Sequence, residues 1–210
     1  MKKANDYSIY CGNKGSLIHE ESPVFMIKIK FDKKYSYEMI VDWMSSSEEI
    51  WVWNKAITKW KDIIKFSNNT LITHTIYSPS FLIEKREFIE KRFVTSIKDP
   101  KGNKQKTLIF KSSVPNHLLS NPEWKLHGTT LFSIWMIKYG KFKIDLHFNN
   151  FWHIESDTDQ TTLTMIEQVH YGLKNIDKYT KVALPAQVDK MYRNLIEYMN
   201  RKLEEDAFSI

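Results

Sequence analysis

Arg86 and Arg92 are two of only four arginines in a chain that carries 31 lysines and arginines. They fall in Arg86-Glu87-Phe88-Ile89-Glu90-Lys91-Arg92, an alternating stretch that reads as a β-strand. A guanidinium stays protonated and offers a planar fork of donors matched to phosphate or carboxylate. Residues 86, 88, 90, 92 and 94 share one strand face, so Phe88 and Val94 imply that the arginine face is at least half buried. Buried cations require partners. Two kinds of partner are open from the residues alone: local carboxylates that hold the fold together, or the polar group of a ligand.

Other reactive side chains point away from catalysis. The single cysteine, Cys11, excludes an intrachain disulfide or a thiolate zinc cluster. Seven histidines (19, 74, 117, 127, 147, 153, 170) show no HExxH spacing, so neither a metal nor another cofactor is expected. No Ser/Cys–His–acid spacing stands out, and the chain is not read as an enzyme.

The elements that must position the arginines are legible. Phe25, Ile27, Ile29 and Phe31 alternate with Lys28 and Lys30, which predicts a half-buried strand over 24–31. Ser36 caps a short helix carrying Tyr37, Ile40, Val41 and Met44, broken at Ser45-Ser46-Ser47. A second short helix over 47–53 leads into Trp53-Asn54. Strands follow at about 57–66, 70–78, 86–96, 106–112, 129–138, 142–149 and 161–171, with turns at Asn68-Asn69 and Asp99-Pro100-Lys101-Gly102. Pro185 opens a helix of about twenty residues, with Val188, Met191, Tyr192, Leu195, Met199 and Lys202 along one stripe.

With 210 residues, 42% of them hydrophobic, this order gives a single α+β domain over 1–210. A curved antiparallel sheet wraps around the long C-terminal helix, and a cavity between them suits an apolar ligand. The net charge of +6 favours anionic surfaces, but the lysines are dispersed and no nucleic-acid module is visible. No run of 18 apolar residues occurs, and no apolar segment follows Met1-Lys2-Lys3. A cytoplasmic or peripheral-membrane location is expected, with a removed upstream targeting segment of a secreted form left open.

Several pieces occur in the order of one family. Val52-Trp53-Asn54 resembles a Trp-Asn after a second short helix. Leu71-Ile72-Thr73-His74 followed by Arg86-Glu87-Phe88-Ile89 resembles a strand pair ending in Arg-Asp-Phe-Val, and Ser112-Ser113-Val114-Pro115 a serine-rich strand end opening an omega loop. Over residues 7–204 the chain resembles the START (StAR-related lipid-transfer) domains, whose helix-grip fold has a C-terminal lid helix. It departs from them in Glu87 for Asp, in lacking an N-terminal helix before the strand at 24, and in lacking Asp-x-x-Gly-x-Pro before the last helix. Tyr171-Gly172-Leu173 and Leu184-Pro185 only approximate that last motif.

The resemblance implies a monomer that binds one lipid in an internal cavity and carries it between membranes. It favours a phospholipid, because Arg86 stands where the matching arginine of phosphatidylcholine carriers binds phosphate. Arg92 is a second headgroup candidate; it matches an arginine that pairs with an acid in sterol-binding relatives, but that acid would fall near Thr75, so the same pair is not expected here. Glu167, on a face with Leu163, Met165 and Val169, is a candidate partner for either arginine, and Tyr77 a candidate phenolic donor to the headgroup. Trp135, Ile137, Leu163, Met165, Met191, Leu195 and Met199 are candidates for the cavity and lid, each with ordinary core packing as its alternative. Leu118, Leu119 and Trp124, on the connection from Val114 to Lys125, suit insertion at headgroup level. A sterol-binding domain and a helix-grip protein-interaction module without cargo remain alternatives.

Overall fold

The computed structural model describes residues 2–3, 7–12, 24–78, 85–98, 105–114, 129–139, 142–146, 152–156, 160–170 and 183–208. In chain order the elements are β1 (Lys2–Lys3), β2 (Tyr7–Gly12), β3 (Val24–Lys30), α1 (Tyr37–Ser45), α2 (Ser47–Trp53), β4 (Ile57–Ser67), β5 (Thr70–Tyr77), β6 (Arg86–Lys98) and β7 (Gln105–Ser113). They continue with β8 (Thr129–Tyr139), β9 (Phe142–Leu146), β10 (Trp152–Ser156), β11 (Thr162–His170) and α3 (Leu184–Ala207). Nine strands form one antiparallel sheet in the order β1-β2-β3-β11-β8-β7-β6-β5-β4, while β9 and β10 pair as a separate hairpin.

Local chemistry explains the helices. The Ser36 side chain accepts from the Met39 amide at 3.2 Å, and Ser46 accepts from the Glu49 amide at 3.3 Å, so one serine starts α1 and the next separates α1 from α2. Ser36→Ala is expected to cost about 1 kcal/mol, read as a lower denaturant midpoint with an unchanged m-value. Pro185 stands in the first turn of α3, where its missing N–H costs nothing. Leu184, Val188, Leu195, Tyr198 and Met199 form the buried stripe of α3. The Lys202 ammonium lies 5.9 Å from the Tyr198 ring centroid and 3.5 Å from Glu205, its stem along the helix and its charge outward.

Besides the two-residue β1, two strands went unread in the sequence. β2 precedes the strand at 24 and pairs with it, placing Tyr7 and Ile9 in the core; the chain therefore reaches β3 through β1 and β2. Tyr-Ser-Ile-Tyr-Cys-Gly alternates, but it is short and ends in a glycine that weakens the strand signal. β10 is the other. Cys11 falls in β2, with its side chain outside the described residues.

The sheet's inner face meets all three helices in one core. Ile29, Ile40, Met44, Ile50, Ile109, Ile137, Leu195 and Met199 there are fully buried. At its floor the hydroxyls of Tyr37 and Thr107 lie 2.6 Å apart, and Ser96 reaches Thr107 at 2.7 Å. The outer face is also buried in part. Met26, Met136 and Ile166 cluster there, and Glu87, fully buried, pairs with His74 at 2.7 Å on the outer side of β5 and β6.

Candidate functional site

Cross-strand register assembles a polar row on the inner face. Arg92 of β6 lies opposite Lys111 of β7, Lys111 opposite Ser133 of β8, and Ser133 opposite Glu167 of β11. The next rows are apolar: Ile109, Met165 and Ile27 in one, and Ile137, Leu163 and Ile29 in the other. The sheet therefore presents a charged band beside an oily one.

A cavity of about 130 Å³ opens over this band, between the sheet and the first two turns of α3. Phe25, Ile27, Ile57, Trp60, Phe88 and Met165 line its sheet side, with Leu184, Val188 and Met191 contributed by the helix. Glu90, Lys111, Ser133 and Glu167 stand within that apolar wall, together with Thr75, Tyr77, Thr130 and Gln187. Ser133 donates to Glu167 at 2.8 Å, and the Thr130 hydroxyl donates to Glu90.

Lys111 is the cation among these groups. Desolvation lowers its pKa from the ordinary 10.5, while Glu90 and Glu167 oppose the shift and Arg92 adds to it. In sheet register Lys111 stands between the strands that carry Glu90 and Glu167, and it lines the cavity.

A smaller cleft of about 50 Å³ lies against the same wall, lined by Lys55, Ser78, Lys190 and Asn194. It shares Asn54, Tyr77, Gln187 and Met191 with the cavity. Gln187 Nε2 donates to the Tyr77 hydroxyl, and Tyr77 meets Phe88 edge to face at 6.3 Å. This contact between α3 and β5 is the partition between the two spaces.

The structure sorts the residues expected from the sequence. Tyr77, Glu167, Met165 and Met191 line the cavity. Ile137, Leu163, Leu195 and Met199 are packed in the core instead, each at most 1% exposed: Ile137 and Leu163 lie two residues along the sheet from the polar band, and Leu195 and Met199 follow the turns of α3 that line the cavity. Trp135 pairs through its backbone with Ile109 and Met165, but its side chain lies outside the described residues, as do Leu118, Leu119 and Trp124.

Neither arginine lines the cavity. The Arg92 guanidinium donates to the Ser45 carbonyl at the end of α1, and burial lowers its pKa, with Asp62 and Glu90 acting in the opposite direction. Its Nε and Nη1 are buried without a hydrogen-bond partner. Arg86 is buried opposite Tyr77 and donates weakly to the Lys85 carbonyl at 3.4 Å. The cation that faces Glu167 in the cavity is Lys111, a residue that the sequence did not single out.

The sheet order, the two short helices after β3 and the α3 helix laid across the inner face define an α+β helix-grip fold of the START type. Solved structures agree with it over nearly the whole chain. Human StAR-related lipid transfer protein 5 superposes with a TM-score of 0.71 at 12% identity, covering 96% of this chain and 85% of that one. Human STARD10 gives 0.67 at 12% identity over 97% and 75%. A STAR-related lipid transfer protein fragment from Xanthomonas axonopodis gives 0.54 at 13% identity over 91% and 97%. No protein-family model matches the sequence. No curated protein sequence matches it either. At this level of identity the similarity establishes the fold.

Proposed function

We propose that the protein binds one lipid in the cavity under α3 and carries it, chemically unchanged, between membranes. The observation that carries this reading is the charged band of Glu90, Lys111 and Glu167 within an otherwise apolar cavity, an arrangement suited to an amphipathic ligand held head inward. Acyl methylenes buried along Ile27, Met165 and Met191 each contribute about 0.8 kcal/mol.

The preferred cargo is a phospholipid with a zwitterionic head. Lys111 supplies a partner for phosphate, and Glu90 and Glu167 supply partners for an amine. An anionic head would instead set a further negative charge beside two carboxylates. Arg86, directly opposite Tyr77, becomes a second phosphate ligand once Tyr77 swings away from Gln187. A sterol is the second reading, favoured by the small volume. About 130 Å³ is below the ~300–1,000 Å³ of ordinary small-molecule pockets, so a two-chain lipid requires the first turns of α3 to lift from the sheet. Breaking the Gln187–Tyr77 contact joins the cavity to the outer cleft and gives the cargo its route.

The protein works in this account as a monomer at cytoplasmic membrane surfaces, with the connection bearing Leu118, Leu119 and Trp124 inserting at headgroup level. Transfer of labelled phosphatidylcholine or sterol between donor and acceptor vesicles tests the reading. Accelerated transfer of one of them is expected, and acceleration of neither would contradict it. Substituting Leu118, Leu119 and Trp124 together by Ser is expected to slow transfer at least tenfold while leaving the thermal midpoint unchanged; an unchanged rate would remove the connection from the mechanism.

A further inference from the structure

We propose that the outer face of β4–β7, on the side of the sheet away from the cavity, is a docking surface for an anionic bilayer. Ile64, Phe93 and Ile97 are 39%, 41% and 52% exposed. Single exposed apolar residues are ordinary, whereas several on neighbouring strands form a patch. Ser67, Thr70, Phe93 and Phe110 succeed one another across four strands, and the Phe93 and Phe110 rings stack with centroids 6.2 Å apart. Ile97 follows Phe93 on the same face of β6, and Ile64 lies opposite Ile72 of β5.

The exposed charge on this face has one sign. Lys59 and Lys61 stand opposite Ile76 and His74, and Lys91 opposite Ile72, all three exposed on the side that carries Phe93. Lys106, opposite Ile97, is half-buried at the margin. Asp62 belongs to the opposite face, in register with Thr73, where it accepts from the Trp60 indole at 2.8 Å. Glu87 is fully buried against His74. Among the described residues of these strands, no exposed carboxylate offsets the lysines on the outer face.

Three candidate occupants separate on these observations. β4 is the sheet's edge, and lysines commonly guard edges against a second copy. Its register breaks between Ile57 and Lys59, between Asp62 and Ile64 and between Lys65 and Ser67, which spoils it as a template for another strand. Stacked rings and lysines also suit single-stranded nucleic acid, but the flanking Ile64 and Ile97 gain nothing from bases. Aromatic and aliphatic side chains ringed by ammonium groups match an interface of headgroups over hydrocarbon, with negative surface potential drawing the lysines in. The surface is separate from the cavity, so its occupancy is measurable without cargo.

Flotation with vesicles of phosphatidylcholine, with and without phosphatidylserine, tests the proposal. The protein is expected to partition onto serine-lipid vesicles and to release as salt rises from about 0.1 M to about 1 M, where the Debye length falls from about 10 to about 3 Å. Lys59→Gln/Lys61→Gln/Lys91→Gln is expected to lower the partition constant about a hundredfold, at about 1 kcal/mol per lysine. Ile64→Ser/Phe93→Ser/Ile97→Ser is expected to lower it about tenfold or more. Both variants change exposed residues, so thermal midpoint and cavity loading should stay as in the unaltered protein. Equal partition of both variants and the unaltered protein would overturn the proposal, as would equal partition onto the two vesicle types. Loss of single-stranded oligonucleotide binding in the lysine variant, without loss of vesicle binding, would assign the face to nucleic acid instead.

Discussion

Lys111→Met is expected to leave the fold as stable near neutral pH or more so, because burial costs the Lys111 ammonium more than Glu90 and Glu167 return. Lipid loading should fall all the same, since the variant removes the cation that lines the cavity. The pH dependence carries a sign of its own. Burial lowers the Lys111 pKa in the fold below its ordinary 10.5, so between those two values the unfolded chain binds the extra proton. Stability from this group therefore rises with pH through that window and is flat well below it. Denaturant midpoints from neutral pH toward 10.5 should rise more steeply for the unaltered protein than for Lys111→Met, with other titrating groups cancelling in the difference. Parallel profiles would mean that Lys111 is not desolvated.

Leu195→Ala and Met191→Ala should part company although they lie four residues apart on α3. Leu195 is fully buried in the core, and its truncation is expected to cost about 3 kcal/mol, lowering the melting temperature by roughly 6–12 °C. Met191 lines the existing cavity and is half-buried, so its truncation should cost about 1 kcal/mol and enlarge the ligand space. Thermal unfolding together with lipid loading distinguishes them. Equal losses would deny that α3 spans a loose half and a tight half. In the proposed mechanism this division lets the first turns lift while Leu195, Tyr198 and Met199 stay anchored.

Much of the fold was legible because its punctuation is local. Ser36, Ser46 and Pro185 act on the residues beside them, and the observed helix starts follow. The site was harder to read, and β7 shows why. In Lys106-Thr107-Leu108-Ile109-Phe110-Lys111, the face with Leu108 and Phe110 is the more apolar, yet the face with Thr107, Ile109 and Lys111 turns inward. Strand alternation gives two faces but not which one meets the helices; that choice is set by pairing with β6 and β8, far away in sequence. Leu163, Met165 and Val169 at even spacing mark the face of Glu167, whereas Tyr77 follows Thr73 and Thr75 and stands out only by its hydroxyl. Lys111 carried no such mark, and the acceptor of Arg92, the Ser45 carbonyl, lies 47 residues earlier in the chain, beyond the reach of strand spacing. Gln187 carries no sequence signal for the contact that it makes with Tyr77.

The most direct test of the lipid-carrier account is native mass spectrometry of the purified protein after incubation with mixed liposomes, followed by solvent extraction and lipid analysis. The account predicts one lipid per chain, with a zwitterionic phospholipid as the major species, and loss of that species from Lys111→Met. A protein that stays empty while Leu195 and Met199 remain packed would contradict it, leaving a helix-grip fold that uses its surfaces rather than its interior.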